Sequence, residues 1–144
     1  MALTIYDDRG IRFEYPADWE LDVTDDGPRS TVSVQAPSGL AFALVTVDDE
    51  GTDADELVAE ALTALKAEYP TLLAEPAEET IDGHLSNGHD VEFVSLDLSV
   101  ACTLRGFQTP RRTVFVLTQW SDLESLDADD ALRALRLSIE ETDA

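Results

Sequence analysis

Two stretches of this chain are apolar on both faces of an extended strand, and they constrain the fold more than any other feature. They are residues 40–47 and residues 113–120. Successive side chains of a strand point to opposite faces of a sheet, so a strand without a polar face is covered on both sides. The sequence therefore predicts a sheet in which these two strands are central and both faces are covered.

Other segments alternate between apolar and polar residues, which is typical of half-buried strands. They lie at residues 3–6, 11–15, 30–36, 90–96 and 98–104, and Trp19 and Leu21 are expected to resume the second of them after Pro16. Short turns with glycine, proline or aspartate separate most neighbouring segments. Short connections join antiparallel strands, so we predict a mostly antiparallel sheet of about six strands.

Two helices are expected beside this sheet. The first has apolar residues at helical spacing from Leu57 to Tyr69, with Thr52 or Asp53 as its N-cap and Pro70 as its stop. The second starts near Asp127, and its inner face is Ala131, Leu132, Leu135 and Ile139. The 144 residues are about one domain's worth of chain. We therefore predict one α+β domain over residues 1–144, an α/β/α sandwich with one helix on each face.

The charge of the chain excludes several kinds of partner. Nine basic residues face 31 acidic residues, which gives a formal net charge of −22. A nucleic-acid backbone requires a basic footprint, and anionic membrane surfaces attract the same positive charge. We therefore expect no nucleic-acid and no membrane partner, and we expect a partner protein with a basic patch.

The same charge predicts that added salt stabilises the fold. Raising the salt concentration from about 0.01 M to about 0.15 M shortens the Debye length from about 30 Å to about 8 Å. Repulsion among the carboxylates then weakens, so the melting temperature should rise over this range. Thermal melts followed by circular dichroism measure the effect, and a flat or falling melting temperature would contradict the prediction.

Cysteine content and apolar runs bear on the compartment. Cys102 is the one cysteine, which excludes an internal disulfide and a multi-cysteine zinc site. No run approaches the ~18 apolar residues of a membrane span. The first residues carry neither a basic patch nor an apolar stretch of the signal-peptide type. The expected location is therefore the cytoplasm.

The two histidines, His84 and His89, are the first candidates for site chemistry. Asp82 and Asp90 flank them, and imidazole with carboxylate is an ordinary ligand set for a divalent metal. Their spacing matches no known metal motif, and the favoured interpretation is a glycine-rich turn with two half-exposed histidines. The four residues remain weak metal candidates, and we predict no metal site and no cofactor.

Other candidates have structural interpretations. The acidic residues 48–56 are interpreted as a loop and helix N-terminus rather than a calcium site. Cys102 is interpreted as a buried structural thiol, and Arg111 with Arg112 as a solvated hairpin tip rather than an anion site. The aromatic residues are interpreted as core, with a ligand groove as the alternative: Phe13, Trp19, Phe115 and Trp120. The sequence contains no hydrolase elbow and no phosphate-binding loop, so we predict that the chain is not an enzyme.

Several segments together resemble the PsbP-like superfamily. The residues from Phe13 to Trp19, FEYPADW, look like the F-x-Y-P-x-x-W opening of these domains. The later segments are similar in order: a glycine turn at residues 81–83 before a strand at 90–93, a late central strand at 113–117, and a closing helix at 131–138. The resemblance covers nearly the whole chain. It implies a PsbP-like fold.

The resemblance also carries functional expectations. The superfamily includes the extrinsic photosystem II protein, a Ran-binding import factor and small bacterial domains of unknown function. Its members mostly bind other proteins or serve assemblies, and no general catalytic motif comes with the family. One bacterial branch acts as cytoplasmic chaperones for secretion-system effectors. The thylakoid role is not expected, because no targeting segment is recognised.

The leading prediction is therefore a non-catalytic protein-binding or assembly module. The first alternative is a cytoplasmic chaperone that holds an apolar helix of a secretion-system effector, which requires an exposed apolar groove. The second alternative is a metal-dependent enzyme that uses His84 and His89. The oligomeric state is left open.

Overall fold

The computed structural model of the chain describes residues 2–124 and 127–142. These residues form ten strands and two helices. In chain order the elements are β1 (Leu3–Asp8), β2 (Ile11–Pro16), β3 (Glu20–Asp26), β4 (Arg29–Gln35), β5 (Ala41–Asp48), α1 (Ala54–Glu68), β6 (Leu73–Ile81), β7 (His84–Ser95), β8 (Leu98–Gln108), β9 (Thr113–Ser121), α2 (Asp127–Leu137) and β10 (Glu140–Glu141).

Seven strands form the main sheet, in the order β3-β4-β5-β9-β8-β7-β6. Every neighbouring pair is antiparallel. The predicted antiparallel sheet is confirmed, and the two doubly apolar runs are adjacent at its centre as β5 and β9. The sheet consists of two meanders, β3-β4-β5 and β6-β7-β8, and β9 joins them.

The expectation of about six strands in one sheet is wrong. Residues 73–81 form β6, although three glutamates and Pro76 gave no strand pattern. The region of the two histidines is a continuous strand from His84 onward, not a glycine-rich turn. Trp19 and Leu21 do not extend the second strand, because β3 starts at Glu20 and lies in the main sheet.

A second sheet of three strands has the order β1-β2-β10. The short β10 lies antiparallel to β2, with Glu140 opposite Arg12 and Glu141 opposite Ile11. Ile11 and Phe13 of β2 are fully buried, and Phe13 stacks on Tyr6 with ring centroids 5.1 Å apart. The family-like opening segment is therefore a packing element of the core.

The helices cover opposite faces of the main sheet, as predicted. On one face, α1 packs on β7, β8 and β9, where Leu57 and Val58 contact Leu104 and Phe115 in one core cluster. Gly106 permits this approach, because a Cβ there would lie 3.1 Å from Val58 Cγ2. Neither helix of the described residues is long and apolar enough to cross a membrane.

On the other face, α2 and the small sheet pack on the β4, β5 and β9 side through Leu132, Leu135 and Ile139. Each helix therefore covers only part of one face. The face that carries α2 stays open over β6, β7 and β8 at the end where Leu73 and Val94 lie, and both side chains are exposed.

Candidate functional site

The two histidines do not form a common site. His84 and His89 lie five residues apart on the continuous strand β7. An odd separation on a strand places side chains on opposite faces of the sheet. His84 stacks on Phe107 at 5.1 Å, whereas His89 lies in a groove beside Val58 and Lys66 of α1.

The two aspartates have other partners. Asp82 sits in the β6–β7 turn and accepts a hydrogen bond from the Glu141 amide at 2.8 Å. Asp90 accepts one from Arg105 at 2.8 Å. Within residues 2–124 and 127–142, no group of three or more His, Cys, Asp and Glu side chains is placed to hold a metal ion. The structure therefore does not bring the four candidate ligands together.

Arg112 is buried, so the interpretation of Arg111 and Arg112 as a solvated tip is wrong for this residue. Its guanidinium donates to the carbonyl of Gly10 at 2.5 Å and lies 3.7 Å from Glu141. It also lies 3.6 Å from Asp49. Arg112 thus connects the small sheet, the C-terminal segment and the loop after β5.

Cys102 lies in the core cluster under α1. Burial raises the pKa of its thiol to about 12. A thiol with that pKa stays protonated at neutral pH, and the thiolate is the reactive form. The geometry of Cys102 is that of a packing residue.

A buried ionic cluster joins α2 to the edge strand β6. Glu79 accepts two hydrogen bonds from Arg136, at 2.5 and 3.0 Å, and its carboxylate lies 3.4 Å from Arg105 Nε. Arg105 also donates to Asp90 and to the carbonyl of Leu104. The two arginines are only 5% and 6% exposed. With Arg133 they line a cavity of about 380 Å³.

Within this cluster the positive charges of Arg105 and Arg136 lie against the negative charges of Glu79 and Asp90. Burial raises the pKa of Glu79, but the hydrogen bond from Arg136 and the charges of both arginines outweigh it, so the pKa lies below its usual value. Glu79 is therefore ionised at neutral pH. Since the two buried arginines are held by Glu79 and Asp90, the cluster acts as a structural bridge.

An open groove of about 410 Å³ crosses the uncovered end of the sheet. One cross-strand row supplies its centre: Leu73 of β6, Glu92 of β7, Ala101 of β8 and Trp120 of β9. We call this the Trp120 groove; its principal lining residues are Leu73, Glu92, Val94, Ala101, Trp120 and Asp122. The small side chain of Ala101 leaves the depression between Glu92 and Trp120. Leu73 and Val94 are 69% and 67% exposed.

The tip of the β7–β8 hairpin lies two residues beyond Val94 and borders a second depression, which Tyr69, Phe93 and Leu96 line. The two-residue turn of the hairpin is Leu96 and Asp97, at φ of 52° and 66°. Such turns favour glycine and asparagine, because other side chains are strained in the left-handed region. Leu96 is nonetheless 92% exposed at the tip. We call Leu73, Val94, Leu96 and Trp120 the open apolar surface.

Sequence reasoning found one member of this surface. The sequence offers two interpretations of Trp120, a core residue or a residue of a ligand groove. In the structure its partly buried ring packs on the core and also lines the groove. Leu73 lies in a strand that the sequence did not predict. In the sequence, only the presence of a bulky residue in a two-residue hairpin turn could have indicated that Leu96 belongs to a functional surface.

Comparison with solved structures identifies the fold. Cyanobacterial PsbP from Synechocystis is 11% identical, with a TM-score of 0.64 over 96% of this chain and 92% of that one. LpqN, involved in cell envelope biogenesis of Mycobacterium tuberculosis, is 18% identical, with a TM-score of 0.58 over 98% and 91%. A protein from Bacteroides thetaiotaomicron has a TM-score of 0.59 at 10% identity. That match covers 93% of this chain but only 46% of the Bacteroides protein, so the chain spans less than half of its length.

These similarities confirm the PsbP-like fold that the sequence predicted. They are similarities of architecture, because identities of 10–18% do not carry site residues from one protein to another. No protein-family model matches the sequence, and no curated protein sequence matches it.

Proposed function

We propose that this chain is a non-catalytic protein-binding module that docks its partner on the open apolar surface. The observation that carries the proposal is the Trp120 groove, where exposed aliphatic side chains surround a partly buried tryptophan. Interfaces are centred on such aromatic anchors, and contiguous exposed apolar patches mark interaction sites.

The turn at Leu96 supports the proposal independently. A leucine in the left-handed region costs on the order of 1 kcal/mol, and its exposure gains nothing for the isolated fold. Local strain of this kind is retained at functional positions. A partner that covers the hairpin tip would bury Leu96, which is exposed in the isolated chain.

Capture of a partner with a groove variant tests the proposal. Ala101→Leu fills the depression while it leaves the charge unchanged, so a partner that wild type retains should be lost. Ala77→Leu is the matched control, since Ala77 is also partly buried, lies on the same face and lines neither cavity. The measurement is a tagged pull-down at the source cell's own salt, read by mass spectrometry. A partner set that is the same for wild type and Ala101→Leu would contradict the proposal.

Leu96→Asn separates binding from folding. Asparagine tolerates the left-handed region, so the free energy of unfolding should rise by about 1 kcal/mol. The same change removes an exposed contact, so partner binding should weaken. Urea denaturation and the pull-down measure the two effects. A variant that is stabilised and binds as tightly as wild type would remove Leu96 from the docking surface.

The metal-enzyme alternative finds no geometry to support it, since the candidate ligands lie on different faces. The chaperone alternative would use the same groove for an apolar helix. The chaperone and the proposed binding module differ in the charge of the bound segment. The charged residues around the groove bear on this difference.

A further inference from the structure

The charges around the open apolar surface indicate what kind of segment fits it. Glu92 and Asp122 line the Trp120 groove, and Asp97 stands at the hairpin tip beside Leu96. All three side chains are exposed. Among the described residues, no lysine or arginine lines the groove.

None of these carboxylates has an ion-pair partner in the part of the chain that the structure describes. Arg105, Arg133 and Arg136 line the neighbouring cavity, which shares Glu92, Ala101 and Trp120 with the groove. Arg105 and Arg136 are held there by Glu79 and Asp90, whereas Arg133 is exposed. The charges of Arg105 and Arg136 are therefore largely offset within their own cluster. The negative potential of a chain with a net charge of −22 adds to that of the three carboxylates.

The apolar and acidic groups alternate across the groove. Glu92 and Trp120 are separated by the strand that carries Ala101, which places their backbones about 10 Å apart at the usual strand spacing. An aliphatic side chain seated over Ala101 would have a carboxylate on one side and the tryptophan ring on the other. A lysine or arginine next to it can reach Glu92 or Asp122, and it can also lie over an aromatic face.

We infer that the segment bound in the Trp120 groove is a partner-protein segment in which an aliphatic residue is flanked by lysine or arginine. The inference rests on the proposed function and names the chemistry of the partner. A wholly apolar segment fits less well, because it would cover the carboxylates of Glu92 and Asp122 without compensating their lost hydration.

Binding of short synthetic peptides by fluorescence anisotropy tests this inference. The probe has central leucines flanked by lysines; one comparison peptide replaces the lysines with glutamates, another replaces them with serines, and a third replaces the leucines with serines. We expect the leucine–lysine peptide to bind more tightly than all three. Equal binding of the leucine–serine or leucine–glutamate peptide would overturn the inference.

Variants of the protein locate the effect. Glu92→Gln, Asp97→Asn and Asp122→Asn together should weaken the leucine–lysine peptide by about tenfold. The matched control neutralises three exposed carboxylates elsewhere, Asp7→Asn, Asp18→Asn and Glu20→Gln, and should change the affinity by less than about twofold. Equal losses in both variants would overturn the inference, since the attraction would then come from the net charge alone.

The outcomes also separate this inference from the proposed function. If Ala101→Leu abolishes binding of the lysine and the glutamate peptide alike, the groove is a docking site without charge selection, and the inference alone fails. If Ala101→Leu affects neither the peptides nor the captured partner, both fail. If no peptide binds but the pull-down partner depends on the groove, the inference fails and the proposed function stands.

Discussion

Replacing Glu79 with glutamine is expected to lower the free energy of unfolding by about 3 kcal/mol. The carboxylate lies between two buried guanidinium groups, those of Arg105 and Arg136, and accepts two hydrogen bonds from the second. Glutamine keeps the shape but not the charge, so both arginines would lose their shared counter-charge. Breaking a buried ion pair from one side is costly because the remaining charge stays desolvated. Urea denaturation followed by circular dichroism measures the loss.

The neighbouring residue supplies the control. Glu78→Gln changes the same group on the same strand, but Glu78 is exposed, so the expected change is within about 0.5 kcal/mol. The pKa of Glu79 is lowered in the folded protein, so its contribution is present at neutral pH and is lost as the pH falls through that lowered pKa. The difference between wild type and Glu79→Gln should shrink accordingly in acid. Equal effects of the two substitutions would show that the bridge does not stabilise the fold.

Replacing Gly88 with alanine is expected to cost about 3 kcal/mol or to prevent folding. Gly88 lies in β7 opposite Arg105 of β8. A Cβ at this position would overlap the carbonyl oxygen of Leu104 and lie 2.6 Å from its carbonyl carbon. The obstacle is backbone, not a flexible side chain, so the two strands must separate. Thermal and urea denaturation measure the effect.

Gly27→Ala is the matched comparison. Gly27 lies in the β3–β4 turn at a φ of 64°, where a Cβ meets nothing within 4 Å. Its replacement costs only the strain of the left-handed region, about 1 kcal/mol. If Gly88→Ala is no worse than Gly27→Ala, the close approach of β7 and β8 is not a requirement of the fold.

The sequence predicts the elements whose own residues carry a pattern. The two central strands and both helices have one, and the Asp82-Gly83 turn has two residues with positive φ, as the Asp-Gly pair predicts. By contrast, β6 contains three glutamates without strand alternation, at positions 75, 78 and 79, and Pro76, which is tolerated because β6 is an edge strand. Its pairing with β7 makes it a strand, and pairing is not a local property.

The candidate site was less predictable for the same reason. Trp120 was recognisable as an aromatic residue, but its exposure depends on which part of the sheet α2 leaves open. Glu79 and Arg136 are separated by 57 positions, and nothing in the sequence near either residue indicates that they meet. His84 and His89 are residue types that bind metals, but they point to opposite faces of the sheet. This follows only when β7 is known to be one continuous strand, because the alternation of side chains then separates them.

The position of β9 also has a consequence for the order in which the chain is assembled during synthesis. The meanders β3-β4-β5 and β6-β7-β8 each form from neighbouring segments, but β9 must insert between β5 and β8 after both have left the ribosome. Until then each meander has an open apolar edge, and such edges are prone to pair with other chains. The contact between β5 and β9 spans a large sequence separation, which slows folding. Cotranslational folding of this domain therefore depends on a strand that is synthesised after both meanders.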